Sequence, residues 1–474
     1  MSLWGKLFFT CWIVYSLFWT PFIVREHYPA VALLERGSLN VDRYLGWNED
    51  IFRGPRGGAY INNNPGASIA GAVPLLAAAP LLKFMDGRKT ANADLAHMDS
   101  IARARAAQEG RAEFFLWVSF LTVAGLMAPL SAVCAVLLGK RALQLGVPLR
   151  HAVAVGLLLA FGTPIFFRTL YLNHNLLVCD AGLVAFLLLW RPGGEPITAA
   201  RTFTAGLLAG FSVLCDFSGL VVLGMLGLYV LLRGGEESGP GRLRALIWYA
   251  LGAVPGLVGL LAYQTVAFGN FLRPPQHYMV PTAPTSIGYR GFSWPSISLM
   301  WANFFDPRFG LFAYCPLLLL GLFSPLARRV PHRVPDRERN FILLFFAAFV
   351  LFCAANQYSW LQPSTGFRYL VPVVPGMLLL SLQTLQLFPL WAQKLTAAFS
   401  IFLNCTIAAT YHGNVLHALA NVFGDGWRLV WVETLWDLRI IAHPARMSFA
   451  CYLLTFVVIA LIWRTRRKQP RLSR

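Results

Sequence analysis

The sequence predicts an all-α polytopic membrane protein of about twelve transmembrane helices, with a long first loop outside the cytoplasm. Hydrophobic residues make up 57% of the 474 residues and charged residues only 13%, whereas a soluble domain carries about 25% charged residues. Apolar runs close to the length of a bilayer-spanning helix recur along the chain. The strands of a membrane barrel alternate polar and apolar residues, and these runs do not.

The placement of basic residues predicts the topology. Four short loops are basic, at 139–150, 191–201, 233–244 and 327–339, and so is the tail at 464–468. Because short cytoplasmic loops carry an excess of Lys and Arg, these loops and both termini are placed in the cytoplasm. The net charge of +19 is explained in this way, and nucleic-acid binding is not expected. The predicted spans are residues 5–24, 112–138, 150–170, 175–190, 203–216, 218–232, 245–268, 308–327, 340–357, 368–388, 390–411 and 447–463.

Two apolar runs need separate treatment at the start of the chain. Leu7 to Val24 is predicted to be a retained span, because no small-residue cleavage site follows it. Ala67 to Phe84 is predicted not to cross the membrane, because Pro74 and Pro80 interrupt it. We expect it to lie along the outer interface or to dip into it, which makes 25–111 one extracytoplasmic loop.

A further apolar run, 203–232, is too long for one upright helix. Thirty helical residues would extend about 45 Å, against a hydrocarbon core of about 30 Å. Cys215 to Gly219 contains a charge and a glycine that suit a turn, so two short helices forming a hairpin are predicted. A single tilted helix is the alternative.

The chain divides into 1–411, a transmembrane domain that includes loop 25–111, and 412–474, an aromatic-rich segment with the last span and a basic tail. In this second part, Trp427, Trp431 and Trp436 are spaced for an interfacial helix or for an aromatic belt. The eight cysteines all fall in apolar runs, so they are expected to be small buried hydrophobes and not a disulfide framework.

Candidate catalytic residues lie in the first loop. Glu26 directly follows the first span, where a carboxylate could take a proton from an acceptor hydroxyl. Asp42 and Asp50 are rivals for the same role. For each of the three, a solvated, ion-paired or helix-capping loop residue is the structural alternative.

Other polar residues are candidates for binding an anion or lining a cavity. Asn64 lies in Asn62 to Gly66, a helix start whose free N–H groups could cap a helix or bind phosphate. Arg368 lies at the start of a predicted span, where it could snorkel or bind a phosphate through two hydrogen bonds. His174 at a short turn and Asp216 at the predicted break are expected to face a polar cavity or to pair structurally.

The order of several segments resembles polytopic glycosyltransferases that use polyprenyl-phosphate sugars. This GT-C superfamily includes the protein O-mannosyltransferases and the lipid A aminoarabinose transferases, and the likeness is to its bacterial branch. The matching segments are Glu26 to Asp42, Tyr60 to Pro80, Phe268 to Phe271, Asp306 to Pro316 and Ser364 to Pro372.

The resemblance implies an inverting glycosyltransferase with a GT-C-like fold. It places the base on Glu26 by position, with Asp42 and Asp50 as alternatives. Arg368, Asn64 and Tyr369 would then bind the donor phosphate. The cavity would be lined by His27, Tyr60, His174, Asp216 and Arg308.

The function expected from the sequence is therefore transfer of a sugar from a polyprenyl-phosphate donor to a glycan, lipid or protein acceptor. The protein would lie in the cell (inner) membrane, in contact with its lipids, with its active site on the extracytoplasmic face. A divalent metal ion is left open as a cofactor, although no Cys or His spacing predicts a metal site. The alternatives are a transporter or flippase of a lipid-linked saccharide, an O-antigen ligase or polymerase type of enzyme, and a scaffold without activity.

Overall fold

A computed structural model describes residues 1–86, 110–192, 197–233, 239–279, 283, 286–410 and 414–464. The first helices are Leu3–Leu17 (α1), His27–Arg36 (α2), Gly66–Ala77 (α3), Ala79–Met85 (α4), Ala112–Gln144 (α5), Leu149–Phe161 (α6), Ile165–Arg168 (α7) and His174–Leu189 (α8). The next are Ala199–Cys215 (α9), Gly219–Arg233 (α10), Gly239–Phe268 (α11), Ile297–Phe305 (α12), Leu311–Tyr314 (α13) and Asp336–Ala355 (α14). The last are Val374–Leu385 (α15), Leu390–Thr410 (α16), Val415–Asp425 (α17), Val430–Asp437 (α18) and Pro444–Arg464 (α19). Shorter 3-10 segments are Asp42–Tyr44, Pro275–His277, Pro316–Leu326, Gln357–Ser364 and Val371–Val373.

The described chain is mostly helical and carries helices that can cross a membrane. Four stretches are long and apolar enough: Ala112–Gln144, Gly241–Phe268, Asp336–Ala355 and Pro444–Arg464. Counting α3 and α4 as one span would give five. In α19, Ser448 is the buried residue and large apolar side chains such as Phe449 and Phe456 are exposed. An apolar surface of this kind suits lipid and not water. Each of the twelve predicted segments contains helical residues, but most of their helices are shorter than a full span.

The predicted break in 203–232 is confirmed. Helix α9 ends at Cys215 and α10 begins at Gly219. Asp216 adopts an extended conformation at the C-cap, and its Oδ1 accepts a hydrogen bond from the Ser218 backbone N–H at 2.8 Å. This local bond of a short acidic side chain competes with the helical hydrogen bonds, which explains why the helix stops there.

Helices α9 and α11 pack with their backbones unusually close. A Cβ on Gly206 would lie 2.0 Å from the Tyr249 carbonyl oxygen, and one on Gly210 would lie 2.5 Å from that of Ala253. Across the interface, a Cβ on Gly252 would lie 2.1 Å from the Phe203 carbonyl oxygen. The two helices thus carry small residues four positions apart at their contact, the pattern that lets membrane helices approach each other.

The described part of the first loop, residues 25–86, folds into a compact unit, part of which is not helical. Ile51–Arg53 (β1) pairs antiparallel with Ala59–Ile61 (β2), a hairpin that the all-α prediction missed. The buried Arg111 guanidinium connects this unit to the start of α5 through hydrogen bonds. It donates to Glu35 Oε1 at 2.5 Å and to the Tyr44 hydroxyl at 2.6 Å.

The apolar run Ala67 to Phe84 forms two helices bent by 84°. Helix α3 has 12 residues and α4 has 7, so neither alone reaches across a core of about 30 Å at 1.5 Å per residue. Pro74 of α3 packs against α5 at Gly125, in a π-helical turn, where an added Cβ would lie 2.7 Å from the proline Cβ.

The C-terminal segment packs along the first helix. Trp431 Nε1 of α18 donates to the Leu17 carbonyl oxygen at 2.9 Å, and Trp463 Nε1 of α19 donates to Thr10 Oγ1 at 2.9 Å. Trp427 precedes α18, so the three tryptophans do not lie on one helix, and of the two interpretations given above the single interfacial helix is wrong. All eight cysteines are free; six are buried and Cys405 and Cys451 are partly buried, which confirms the expectation that they act as small hydrophobes.

Candidate functional site

A cavity of about 1640 Å³ lies between the first loop and the ends of several helices. We call it the central cavity. Its polar wall includes Arg25, Glu26, Asp50, Asn63, Arg168, His174, Asp216, Arg368 and Tyr369. Its apolar wall includes Leu220 of α10, Leu257, Leu260 and Leu261 of α11, Phe271, Leu272 and Phe352 of α14. A cavity that joins a charged wall to a larger apolar wall suits an amphiphilic ligand.

Glu26 forms the buried end of the polar wall. It is the N-cap of α2 and only 2% exposed. Its Oε1 accepts a hydrogen bond from Asn63 Nδ2 at 2.5 Å and lies 2.6 Å from His174 Nδ1 and 3.5 Å from Arg25 Nε. Burial alone would raise the pKa of this carboxyl, but its interactions with His174 and Arg25 hold the pKa below its usual range. Glu26 is therefore an anion at neutral pH.

His174 joins the first loop to the α9–α10 turn. It is the first residue of α8, whose N-cap Asn173 accepts a hydrogen bond from the Leu176 N–H at 3.0 Å. Its Nδ1 faces Glu26, and its Nε2 lies 3.7 Å from Asp216 Oδ2. Because the two carboxylates face opposite ring nitrogens, the three side chains do not converge on one point. Among the described residues, no three His, Cys, Asp or Glu side chains are grouped so as to hold a metal ion.

Asp50 also lines the central cavity, but its oxygens are engaged. Oδ2 forms an ion pair with Arg25 Nη1, and Oδ1 accepts from Asn62 Nδ2 at 2.5 Å. The Asn62 carbonyl oxygen in turn accepts from Gln276 Nε2 at 2.9 Å. This chain of bonds ties the first loop to the loop that follows α11.

Two further arginines line the cavity near residues 365–369. The Arg368 guanidinium lies 4.8 Å from the Tyr369 ring, and the backbone N–H groups of both residues donate to Gln362 Oε1 at 3.1 Å. Within the described parts of the chain, Arg368 has no carboxylate within 4.0 Å, and its buried Nε lacks an acceptor. Arg168 Nη1 donates to the Thr365 carbonyl oxygen at 3.1 Å. Arg168 of α7 and Arg368 of the segment before α15 thus both line the cavity near residues 365–369.

Three residues singled out from the sequence lie outside this cavity for clear reasons. Asp42 Oδ1 accepts from the Ala59 N–H at 2.6 Å and so stabilises the hairpin edge. Asn64 uses its amide to donate to a carbonyl at the C-terminal end of α9 at 2.8 Å, which is a capping contact. Arg308 is exposed and forms a two-pronged ion pair with Asp306, with a shortest distance of 2.7 Å.

His27 and Tyr60 also lie away from the central cavity. His27 is fully buried: its Nδ1 accepts from the Val24 N–H at 3.1 Å, and its Nε2 lies 3.1 Å from Thr122 Oγ1 of α5. Tyr60 of β2 packs against Phe268 at the end of α11, with ring centroids 5.7 Å apart. Both residues hold the first loop on the helices.

Three residues of the polar wall were not singled out from the sequence: Arg25, Asn63 and Arg168. Asn63 is one of three consecutive asparagines, and nothing in the sequence distinguishes it from the other two, although it is the one whose amide donates to Glu26. Arg168 stood within the predicted span 150–170, and a charge inside an apolar run is itself a signal of a polar cavity. Glu26, Asp50, His174, Asp216, Arg368 and Tyr369 were all singled out, and all line the central cavity.

No protein-family model, curated protein sequence or solved structure matches this chain.

Proposed function

We propose that this protein is an inverting membrane glycosyltransferase. It moves a sugar from a polyprenyl-phosphate donor to a glycan, lipid or protein acceptor. The proposal includes about twelve transmembrane helices, both termini in the cytoplasm, and a central cavity that opens on the extracytoplasmic side of the cell membrane. The resemblance to the GT-C superfamily is part of this proposal.

One observation carries the proposal: ionised groups of both signs and an exposed apolar wall share the central cavity. Glu26 and Asp216 lie on either side of His174, and Arg168 and Arg368 line the same cavity near residues 365–369. Leucines of α10 and α11 continue this polar site towards the lipid-facing surface, where Leu220 is 50% exposed. A substrate with a charged head and a long apolar tail fits this combination, and it can enter sideways from the bilayer.

Arg368 is suited to the phosphate of such a donor. As the bond between the sugar C1 and the phosphate oxygen breaks, negative charge grows on the leaving phosphate. A guanidinium placed at that oxygen stabilises the charge more in the transition state than in the ground state. Its planar fork allows two hydrogen bonds to one phosphate. The missing carboxylate partner among the described residues leaves this cation to balance a bound anion.

Glu26 and His174 are suited to the acceptor. Attack on C1 requires that the acceptor hydroxyl lose its proton to a nearby base, a step that contributes about 10²–10⁴-fold. In our proposal, this deprotonation of the acceptor hydroxyl depends on the first-loop carboxylate of Glu26. Asp42 lies outside the cavity and Asp50 is tied to Arg25 and Asn62, so both are weaker candidates.

Lipid analysis of a deletion strain tests the proposal. Loss of the protein should cause one polyprenyl-phosphate sugar to accumulate, and a plasmid copy of the wild type should remove it. A Glu26→Gln copy should leave the donor accumulated. Unchanged lipid-linked sugars in the deletion strain would contradict the proposal. Donor that accumulates but stays protected from a membrane-impermeant oxidant would instead show a transport defect.

A further inference from the structure

We infer that His174, and not Glu26, accepts the proton of the acceptor hydroxyl, and that Glu26 is a positioning residue for His174. The inference rests on the proposed function and assigns the roles within the same wall of the central cavity. It follows from the hydrogen bonds and burial of three side chains: Glu26, His174 and Asp216.

The hydrogen bond between Glu26 and His174 fixes the tautomer of the imidazole. Glu26 Oε1 and His174 Nδ1 are 2.6 Å apart, which is a hydrogen-bond distance. An ionised carboxylate only accepts hydrogen bonds, so the proton must be on Nδ1. In the neutral ring the lone pair then lies on Nε2. That is the ring nitrogen on the side away from Glu26, and it makes no hydrogen bond with a described residue.

Glu26 is badly placed to act on a substrate directly. The residue is 2% exposed, and its Oε1 already receives Asn63 Nδ2 and His174 Nδ1. A carboxylate held by several donors is a weak base. Buried and fixed in this way, it orients the ring and selects its tautomer, as the acidic member of a catalytic triad does.

Asp216 completes the arrangement on the other side of the ring. Its Oδ2 lies 3.7 Å from His174 Nε2, too far for a hydrogen bond but close enough for attraction once the ring is charged. Its Oδ1 accepts from the Ser218 N–H, so the side chain is held in place. An imidazolium at 174 would therefore lie between two carboxylates, which stabilises the positive charge that proton transfer creates.

The acceptor O–H bond breaks, and its proton goes to His174 Nε2. The oxygen electron pair forms the new bond to C1 of the sugar. The bond between C1 and the donor phosphate oxygen breaks, and polyprenyl phosphate leaves with that electron pair beside Arg368. The imidazolium then releases its proton to water in the cavity.

His174→Asn separates the two possible roles of the ring. The Asn amide can take the place of Nδ1–H and keep the hydrogen bond to Glu26, but it has no basic atom at the Nε2 position. Purified protein would be assayed with tritium-labelled polyprenyl-phosphate hexoses and pentoses, with membrane extract as the source of acceptor. We expect kcat to fall by about 10²–10⁴-fold while KM for the donor stays within about twofold. His151→Asn, an exposed histidine at the start of α6, is the matched control.

Chemical rescue distinguishes a proton-accepting His174 from one with only a structural role, because added imidazole can replace a missing base. His174→Gly leaves space beside the cavity, so added imidazole should restore part of the lost kcat. The same imidazole should have no effect on His151→Gly. Unfolding temperatures of all variants would show that each remains folded.

The outcomes distinguish this inference from the proposed function. If the wild type transfers sugar and His174→Asn keeps its kcat, His174 only supports Glu26, and the inference is wrong while the function stands. If His174→Asn loses kcat but imidazole does not rescue His174→Gly, the ring is structural and the inference is again wrong. If the wild type transfers no sugar, both fail together.

Discussion

Buried His27 gives a pH dependence of stability that can be worked out from the structure. Its Nδ1 accepts from the Val24 N–H and its Nε2 lies 3.1 Å from Thr122 Oγ1, so the ring is neutral in the folded protein. Burial lowers the pKa of His27 from 6.5 to about 4, although the Glu26 carboxylate acts in the opposite direction. The ring therefore takes up a proton more readily in the unfolded chain than in the folded one.

The shifted pKa of His27 determines how the free energy of unfolding changes with pH. Between pH 6.5 and 4 the unfolded state binds more protons, so the free energy of unfolding falls as the pH falls. The stability that His27 contributes is fully present above pH 6.5 and is lost as the pH drops towards 4. From pH 7.5 to pH 5 the loss amounts to about 2 kcal/mol, taking 1.36 kcal/mol for each pKa unit.

The assay compares the wild type with His27→Gln, whose amide can still reach Thr122 but does not titrate. Thermal unfolding in detergent would be followed at pH 7.5 and at pH 5, and the two drops compared. We expect the variant to lose about 2 kcal/mol less than the wild type, while an exposed control, His151→Gln, should lose as much as the wild type. Equal drops for wild type and His27→Gln would refute the reasoning.

Three further predictions concern packing, topology and donor binding. Gly210→Ala should destabilise the protein by about 1–3 kcal/mol, because the new Cβ would lie 2.5 Å from a carbonyl oxygen of α11; Gly224→Ala, with nothing within 4 Å, should be neutral or slightly stabilising in thermal unfolding. Cysteine labelling in whole cells should reach position 290 from outside and position 333 only after permeabilisation, and the reverse result would overturn the proposed topology. Arg368→Lys should weaken donor binding by roughly tenfold in a filter assay, because a point charge replaces a two-pronged contact; unchanged affinity would remove Arg368 from the donor site.

The cavity residues that could be predicted from the sequence are charged or polar residues in or beside apolar runs. Asp216 was recognised because a thirty-residue helix is too long for a bilayer, and the helix does break there. His174 and Arg368 stand out as charges or potential charges at the ends of apolar runs. Burying such groups in an apolar setting is unfavourable, so they are expected to face a polar cavity, and this expectation needs only the sequence.

Residues whose roles depend on distant partners could not be assigned in this way. Asp42 is held by the Ala59 N–H, which is in place only once the β-hairpin forms. The hairpin itself was missed although Gly57 and Gly58, both with positive φ, mark its turn. His27 is adjacent to Glu26 in sequence but points to Thr122 of α5 and not into the cavity. Each of these outcomes is set by tertiary packing that periodicity does not encode.

The most direct test of the central claim uses a donor labelled at two positions. Purified protein in liposomes would receive a polyprenyl-phosphate sugar with tritium in the sugar and ³²P in the phosphate, together with acceptor-containing membrane extract. The account predicts that tritium moves to the acceptor with inversion at C1, that ³²P stays on the polyprenyl lipid, and that Glu26→Gln and His174→Asn suppress the transfer. Intact donor carrying both labels to the opposite leaflet, with no labelled acceptor, would contradict the account and identify a transporter.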